Sequence, residues 1–336
     1  MDKTCVYPLT DNERNQLGAA LGKVNYDPQG GQNYITDLRI IADTHLPRRV
    51  IDVLANQRTS LNPKPYLIFE NLPTDEAVFT TPEAHTFAPA AKSGTLSESL
   101  IMTFAGMIGE PYSIQFEGAD VVNNLIPKAS EKREYTGLGS EVELGFHIEN
   151  AALKHVENAS FSPLGLLLTG VRHDPNGPLT RLADARQAIG LLEEHDVDCL
   201  SQPLYRIKVP HRWRDQGAYI TEPIAVLSGV LDFPEVSAVF YPDMVEALSK
   251  PAADALARFH DALIQVSIGL DIKPGQLVYI DNRFTLHARD SFAPSLDAMS
   301  NPLRWVQRVF VASNLWSHRR LERIKARVFL PRDPAL

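Results

Sequence analysis

The chain has 336 residues, of which 44% are hydrophobic and 22% charged, with a formal net charge of −8 at pH 7. This composition is that of an ordinary globular protein, and the negative charge argues against a nucleic-acid or anionic-membrane partner. Cys5 and Cys199 are the only cysteines, the N-terminus lacks the apolar core of a signal peptide, and no run approaches the ~18 apolar residues of a membrane span, so we expect a cytoplasmic protein without disulfides.

Helical signals dominate the first 60 residues. A capping box at Thr10–Glu13 predicts the first helix, because a hydroxyl and a carboxylate three residues apart satisfy each other's free backbone amides. Two short helices are predicted over 38–43 and 48–57. A compact apolar run at 65–70, between prolines, then predicts a buried strand.

The following stretch, 71–93, is rich in Pro, Thr and Ala without a clear period and predicts a loop. A second capping box at Thr95–Glu98 predicts a helix that ends near Gly109. From 115 to 133 the chain is polar and irregular. Such a segment is typical of a lid or substrate wall, and a solvated loop is the alternative.

Short strands become frequent from residue 140 onward. They are predicted over 141–149, 164–171, 204–209, 224–227, 236–240, 275–280, 285–289 and 304–313. Helices are predicted from Thr180 to about 195 and over 251–266. Because this is not the regular alternation of a doubly wound sheet, we predict a mainly β protein with helical decoration, α+β in class, built on a β-barrel or jelly-roll core.

The segment Gly145–Asn150 holds a histidine and a carboxylate two residues apart, His147 and Glu149. In an extended segment, residues i and i+2 point to the same side, so both side chains could reach one metal ion. His287 is the best candidate for a third ligand, and two histidines with one carboxylate form the facial set of non-haem Fe(II). On spacing alone, a hydrogen-bonded histidine beside a solvated glutamate is the more common outcome.

Two arginines, Arg304 and Arg308, lie four residues apart in a predicted strand and therefore share a face. Cations that face the interior need anionic partners, and arginine binds carboxylates through a planar fork. A structural pair with a buried Asp or Glu is the alternative. The sequence signatures of zinc helices, serine hydrolases, P-loops and dinucleotide-binding folds are absent.

Three segments together resemble the clavaminate synthase-like Fe(II)/2-oxoglutarate oxygenases, and among them most closely the hydroxylases of free amino acids in natural-product pathways. The segments are 146–151, 287–294 and 304–308. The resemblance spans roughly Ile114 to Val311, and it implies a double-stranded β-helix, or jelly-roll, core.

The domain organisation that we expect is a single oxygenase domain over residues 1–336. Its N-terminal helical part, about 1–110, would pack on the jelly-roll core, about 111–315. Association into a homo-oligomer is left open.

The resemblance implies roles for residues on the cosubstrate side of the site. His147, Glu149 and His287 match the iron ligands. Arg304 matches the arginine that pairs with the distal carboxylate of 2-oxoglutarate, and Thr180 lies near the threonine that contacts the same cosubstrate.

The resemblance also implies roles on the substrate side. Arg308 matches the arginine that takes the α-carboxylate of the amino acid, and Gln115 resembles a glutamine that contacts its α-amino end. Asp243 falls near acidic residues that hold a basic side chain, and Ser140 is expected to line the same pocket.

This chain departs from the family pattern at three places, one of which is a long loop before Thr180. Ala288 follows His287 where a glycine is usual, and the stretch from His287 to Arg304 is longer than expected. Glu149 is present where related halogenases have a small residue, which favours hydroxylation.

We therefore expect a dioxygenase that uses Fe(II), 2-oxoglutarate and O2 to hydroxylate a free L-amino acid and releases succinate and CO2. A basic substrate is favoured, L-lysine ahead of arginine, ornithine and citrulline, because the segment 117–120 and Asp243 are acidic. One alternative is a related oxygenase that acts on a cyclic amino acid such as pipecolate, or that catalyses desaturation or ring closure. Another is a non-catalytic jelly-roll small-molecule binding protein.

Overall fold

The computed structural model describes residues 3–83, 87–155, 160–209, 220–230 and 232–331. The helices in these ranges are α1 (Asp11–Leu21), α2 (Gln32–His45), α3 (Arg48–Thr59), α4 (Leu96–Ile108), α5 (Ala185–Ile189), α6 (Glu194–Leu200) and α7 (Lys250–Val266). None of them is long and apolar enough to cross a membrane.

The strands follow the same numbering along the chain. They are β1 (Val6–Pro8), β2 (Tyr66–Glu70), β3 (Glu110–Ile114), β4 (Asn123–Leu125), β5 (Leu144–His147), β6 (Gly165–Arg172), β7 (Thr180–Asp184), β8 (Tyr205–Ile207), β9 (Leu227–Val230), β10 (Phe233–Val236), β11 (Val245–Ala247), β12 (Ile268–Leu270), β13 (Leu277–Asp281), β14 (Thr285–Arg289), β15 (Trp305–Ala312), β16 (Glu322–Arg323) and β17 (Val328–Leu330).

Two facing sheets form the centre of the protein. The large sheet has the order β1-β2-β13-β6-β15-β3-β17-β16, with β4 also paired to β15, and the smaller sheet has the order β12-β7-β14-β5. The pairs β8–β11 and β9–β10 form two short ladders beside them. This arrangement, with helices outside the sheets, confirms the predicted mainly β fold. β1 and β2 show that the N-terminal part contributes strands to the large sheet as well as helices.

Strand β6 lies between two apolar cores. Leu166 and Leu168 belong to the core shared with Leu286 of the smaller sheet, whereas Leu167 belongs to the core shared with Phe104 of α4. Side chains alternate between the two faces of a strand, so a strand covered on both sides is apolar at almost every position. This is why the run at 164–171 is nearly continuous in hydrophobicity.

Helix α1 begins at the predicted capping box. The Thr10 hydroxyl accepts from the Glu13 N–H at 3.3 Å, and the Glu13 carboxylate accepts from the Thr10 N–H at 2.8 Å. Helix α2 is longer than the predicted helix over 38–43, because Tyr34 and Ile35 extend its buried face by one turn.

The second capping box, at Thr95–Glu98, does not form, which corrects the prediction. The Asp75 carboxylate instead accepts from the N–H groups of Leu96, at 2.9 Å, and Ser97, at 3.2 Å. The Glu98 side chain is instead part of a buried polar cluster. A capping side chain that comes from a distant loop cannot be recognised from local spacing.

Thr180 begins a strand and not the predicted helix over 180–195. β7 pairs with both β12 and β14, and in the β14 ladder Leu182 lies opposite His287. Because of these ladder hydrogen bonds, the first five residues of the predicted helix form strand β7. Helical structure follows only in the short helices α5 and α6.

His318 is buried in an aromatic pocket near the C-terminal end of the described chain. Its ring centroid lies 4.2 Å from that of Tyr112 and 5.0 Å from that of Phe329. Its Nδ1 lies 2.9 Å from the Ser317 hydroxyl, whereas its buried Nε2 has no hydrogen-bond partner among the described residues. Burial lowers the pKa of His318 to about 4.

We expect this burial to make the protein less stable as the pH falls from 6.5 to 4. Above the ordinary histidine pKa of about 6.5 both states are neutral, whereas below it the unfolded chain takes up a proton that the folded chain excludes. At pH 5 the free energy of unfolding should fall by about 2 kcal/mol through this residue. His318→Phe should remove this part of the pH dependence in urea unfolding, and equal pH slopes in both proteins would contradict the prediction.

Candidate active site

Two histidines meet across the smaller sheet. Strands β5 and β14 are antiparallel neighbours, and their register places His147 directly opposite His287. The two ring centroids are 4.2 Å apart. Gly145 lets β5 pass close to the chain at Phe240, because a Cβ at position 145 would overlap the Phe240 backbone oxygen. One strand pairing thus brings together two histidines that are distant in sequence.

Glu149 lies in a turn just past the end of β5. Its backbone N–H donates to Asn282 Oδ1 at 2.7 Å, and its carbonyl accepts from the Ser162 hydroxyl at 2.8 Å. Asn150 follows with a φ of 55°, in the left-handed region. Asn282 lies in the connection between β13 and β14, so Glu149 and His287 are positioned by the same part of the chain.

His147, Glu149 and His287 form a compact set of donors. One ligand atom from each lies within 4.8 Å of the other two. Glu149 Oε1 is 3.6 Å from His287 Nε2, and all three side chains are buried. In the part of the chain that the structure describes, this is the one cluster of three such residues that could hold a metal ion.

The protonation of His147 suits a metal ligand. Its Nδ1 lies 2.9 Å from the Gly145 carbonyl oxygen, and a carbonyl can only accept, so Nδ1 carries the proton and Nε2 is left with its lone pair. Burial and the neighbouring His287 lower the pKa of His147 to about 3. The imidazole is therefore neutral at physiological pH.

Glu149 is ionised despite its burial. Burial alone would raise its pKa, but Arg308, His287 and His147 together hold the pKa well below its usual value. Two imidazoles and one carboxylate are the donor set of non-haem Fe(II) sites and leave three coordination positions for other ligands. The residues present therefore fit iron.

Arg308 is paired with two buried carboxylates. Its Nη2 donates to Glu117 at 2.6 Å, and its Nη1 donates to Glu149 at 3.0 Å. Asn123 accepts a further bond at 3.2 Å. The alternative named in the sequence analysis, an ion pair between this arginine and a buried acid, is therefore present. The role of Arg308 in binding the substrate carboxylate stays a prediction.

Arg304 and Thr180 line the same cavity as the three donors. The Arg304 guanidinium lies 5.8 Å from the Phe292 ring centroid, and burial lowers the pKa of Arg304 to about 10. A desolvated guanidinium beside an aromatic ring is suited to an anionic ligand.

The other three predicted substrate residues are not among those that line the cavity of the three donors. Gln115 is exposed and lines a neighbouring cavity that shares Glu117 and Arg308 with the first. Ser140 is buried but is not among the cavity-lining residues. Asp243 is also outside that wall. Their roles in substrate binding stay predictions.

Asp243 is an exposed residue whose carboxylate forms an ion pair with the Lys208 ammonium. Lys208 itself lines the cavity. Asp120, in the predicted acidic segment, accepts from the Gln29 amide at 2.8 Å and from the Phe87 N–H at 3.0 Å. Of that segment's two acids, only Glu117 therefore faces the cavity.

Sequence reasoning did not assign several residues of the cavity wall. Lys208, Tyr135 and Tyr241 belong to it, and the rings of the two tyrosines are stacked with centroids 6.1 Å apart. Tyr241 also lies 5.4 Å from the His147 ring. These contacts join two separate loops, and no short motif indicates them. Arg289 was missed as well, although it lies two residues after His287 on one strand.

Comparison with known proteins identifies the family. The model of the taurine catabolism dioxygenase TauD, TfdA family matches residues 96–310, which include all three donors, Arg304 and Arg308. The chain belongs to the TauD/TfdA dioxygenase family. This confirms the predicted kinship, the double-stranded β-helix core and an iron- and 2-oxoglutarate-dependent oxygenase.

Curated relatives of this TauD/TfdA protein include an L-lysine hydroxylase and an L-asparagine oxygenase. It is 27% identical to an L-lysine 3-hydroxylase of Catenulispora acidiphila over 283 residues, which cover 82% of this chain and 74% of the relative. It is also 27% identical to an L-asparagine oxygenase of Streptomyces coelicolor over 264 residues, which cover 78% of this chain and 75% of the relative.

Solved structures share the fold of this TauD/TfdA protein. An asparagine oxygenase in complex with Fe(II), 2S,3S-3-hydroxyasparagine and succinate superposes with a TM-score of 0.84 at 22% identity and covers 97% of this chain and 99% of that one. The non-heme iron oxygenase OrfP in complex with Fe and alpha-ketoglutaric acid superposes with a TM-score of 0.79 at 21% identity, over 97% and 99% of the two chains.

Proposed function

We propose that the protein is a 2-oxoglutarate-dependent hydroxylase of a free L-amino acid, with L-lysine as the first candidate substrate. The observation that carries the proposal is that one cavity contains the three iron donors together with Arg304 and Arg308. A 2-oxo diacid has a distal carboxylate and an amino acid has an α-carboxylate. Each of the two guanidinium groups can hold one of these carboxylates.

On the cosubstrate side, Arg304 and Thr180 offer a cation and a hydroxyl within one part of the wall. Together they suit the distal carboxylate of 2-oxoglutarate, because a charge-assisted bond is stronger than a neutral one. When bound, Fe(II) supplies the oxygen chemistry: one O2 is used, 2-oxoglutarate becomes succinate and CO2, and the amino acid gains one oxygen atom.

On the substrate side, Arg308 and Glu117 present opposite charges 2.6 Å apart. A zwitterionic amino acid carries a carboxylate and an ammonium on one carbon, so its charges complement this pair. Arg308 would donate to the carboxylate, and Glu117 would accept from the ammonium. The predicted contact from Gln115 to the amino end would add to this from the neighbouring cavity. Holding this end of the molecule fixes which side-chain carbon is presented to the metal.

Lysine is the first candidate because one curated relative is an L-lysine 3-hydroxylase, and because Asp243 is acidic. A lysine side chain that reached Asp243 would have to displace the Lys208 ammonium from its ion pair. This contact favours a second candidate, a neutral amide or ureido side chain such as that of asparagine or citrulline. Such a group can donate to Asp243 and accept from Lys208.

The test is to incubate the protein with Fe(II), 2-oxoglutarate, O2 and single amino acids, and to measure succinate release and product mass. Hydroxylation adds 16 Da, whereas desaturation or ring closure removes 2 Da. We expect a +16 Da product with lysine, or with asparagine or citrulline if the Lys208 pair governs the choice. Pipecolate is included as the cyclic alternative.

The proposal fails if no amino acid stimulates succinate release. A protein that binds neither iron nor 2-oxoglutarate would support the alternative of a non-catalytic binding protein.

A further inference from the structure

Arg289 ends strand β14 two residues beyond His287. Side chains alternate along a strand, so both residues face the same side, with Cα atoms about 7 Å apart. Arg289 is buried and lines the same cavity as the three donors. The register of β14 with β7 places it directly opposite Thr180. The strand pairing therefore puts Arg289 beside the residue predicted to contact 2-oxoglutarate.

The Arg289 guanidinium is only partly satisfied by the protein. One Nη donates to the Gly139 carbonyl oxygen, and the other donates to that of Val142 at 2.7 Å. Its Nε is buried and has no hydrogen-bond partner in the described parts of the chain. The neighbouring Asp290 carboxylate is held by Arg181, through bonds of 2.5 and 3.1 Å. The positive charge of Arg289 is therefore not neutralised by a hydrogen-bonded acid.

Arg304 approaches the same place from the large sheet. The two guanidinium carbons lie 5.5 Å (Arg289) and 5.8 Å (Arg304) from the Phe292 ring centroid. Arg289 and Arg304 both line this cavity. Two desolvated like charges in one wall raise each other's free energy, and an anion bound between them would relieve this repulsion.

We propose that Arg289 is a second positioning residue for the distal carboxylate of 2-oxoglutarate and acts together with Arg304. The distance along β14 from His287 to Arg289 is comparable with the span of a five-carbon diacid. A diacid whose 2-oxo end lies beside His287 can therefore reach Arg289 with its distal carboxylate. This inference rests on the proposed use of 2-oxoglutarate. It does not depend on which amino acid is hydroxylated.

Arg289 also has a structural contact that the test must separate from ligand binding. Its two bonds to Gly139 and Val142 attach the segment before β5 to the end of β14, and the Phe292 N–H donates to the Ser140 carbonyl at 2.8 Å in the same region. A purely structural role would affect every ligand of the cavity equally. A role in holding the distal carboxylate would affect only ligands that have one.

The experiment measures ligand binding without turnover. Protein loaded with Fe(II) under anaerobic conditions is titrated calorimetrically with 2-oxoglutarate and with 2-oxopentanoate, which has the same chain length but no distal carboxylate. Arg289→Gln should weaken 2-oxoglutarate binding at least about tenfold through loss of a charge-assisted contact, and should change 2-oxopentanoate binding less than about threefold. Arg289→Lys keeps the charge and should recover part of the loss.

Arg181→Gln is the matched control. It removes a guanidinium from the adjacent position of the β7–β14 ladder, half-exposed and paired with Asp290, and should leave both affinities unchanged. Equal weakening of both ligands in Arg289→Gln, or no weakening of either, would overturn the inference, as would a wild-type protein that does not bind 2-oxoglutarate. A selective loss combined with no turnover of any amino acid would leave the inference standing and refute the proposed function.

Discussion

Replacing His147 by alanine should abolish amino-acid-stimulated succinate release and weaken iron binding. His147 contributes one of the three donors found among the described residues, and its Nε2 lone pair is kept available by the Nδ1 bond to Gly145. Loss of an outer-shell partner of a metal ligand alone costs about 10- to 100-fold in affinity or activity, so loss of a ligand itself should exceed about 100-fold. Both effects are measured on the same preparation, by succinate release and by metal content after dialysis against a weak chelator.

His155→Ala is the control for this substitution. His155 lies eight residues farther along the chain and outside the cavity wall, where its Nε2 contacts the Ser237 hydroxyl at 2.8 Å. This variant should keep its iron and its turnover. A His147→Ala protein that turns over at the wild-type rate would show that His147 is not a ligand.

Replacing Arg308 by methionine should give the largest loss of stability among single changes in the site. The guanidinium neutralises Glu117 and Glu149, which are both buried. Removing one partner of a buried ion pair leaves an uncompensated charge and costs about 3–5 kcal/mol. The free energy of unfolding in urea, measured on iron-free protein, should fall by this amount.

A second variant separates charge from packing. Adding Glu117→Gln to Arg308→Met removes one of the two stranded carboxylates and should restore part of the stability, because an amide can be buried at lower cost than a carboxylate. If Arg308→Met is as stable as the wild type, or if Glu117→Gln destabilises it further, the two carboxylates do not depend on Arg308. In the proposed function, Arg308→Met should also raise the KM for the amino acid more than that for 2-oxoglutarate.

The parts of the site that could be predicted depend on local rules or on a family motif. His147, Glu149 and His287 occur in recognisable segments, and alternation along one strand places Arg304 and Arg308 on one face. The same rule places Arg289 beside His287, so this residue could have been found from the sequence. The ion pair of Arg308 with Glu117 could not, because it joins separate segments whose proximity only the strand pairing determines.

The fold shows the same division between local and distant information. The capping box at Thr10 is local and forms as predicted, whereas that at Thr95 is replaced by Asp75, which comes from a different loop. Thr180 begins a stretch with helical character, but hydrogen bonds to β12 and β14 make it a strand. Tertiary pairing overrides local propensity in such places.

The buried polar cluster behind β15 limits how this oxygenase could be recombined with its relatives. Gln307 of β15 lies between Arg304, which directly precedes this strand, and Arg308, and its side chain points away from both. Its amide donates to Glu98 of α4 at 2.8 Å and to Asn124 at 3.2 Å. Glu98 in turn binds Lys92. A chimaera that exchanged only the jelly-roll strands and kept a foreign helical layer would leave these amide and carboxylate groups facing unmatched neighbours. Asp75 binds Lys92 and also accepts from the first N–H groups of α4. The crossover point must therefore lie before Asp75, so that α4 is inherited together with these partners and with the strand that carries Arg308.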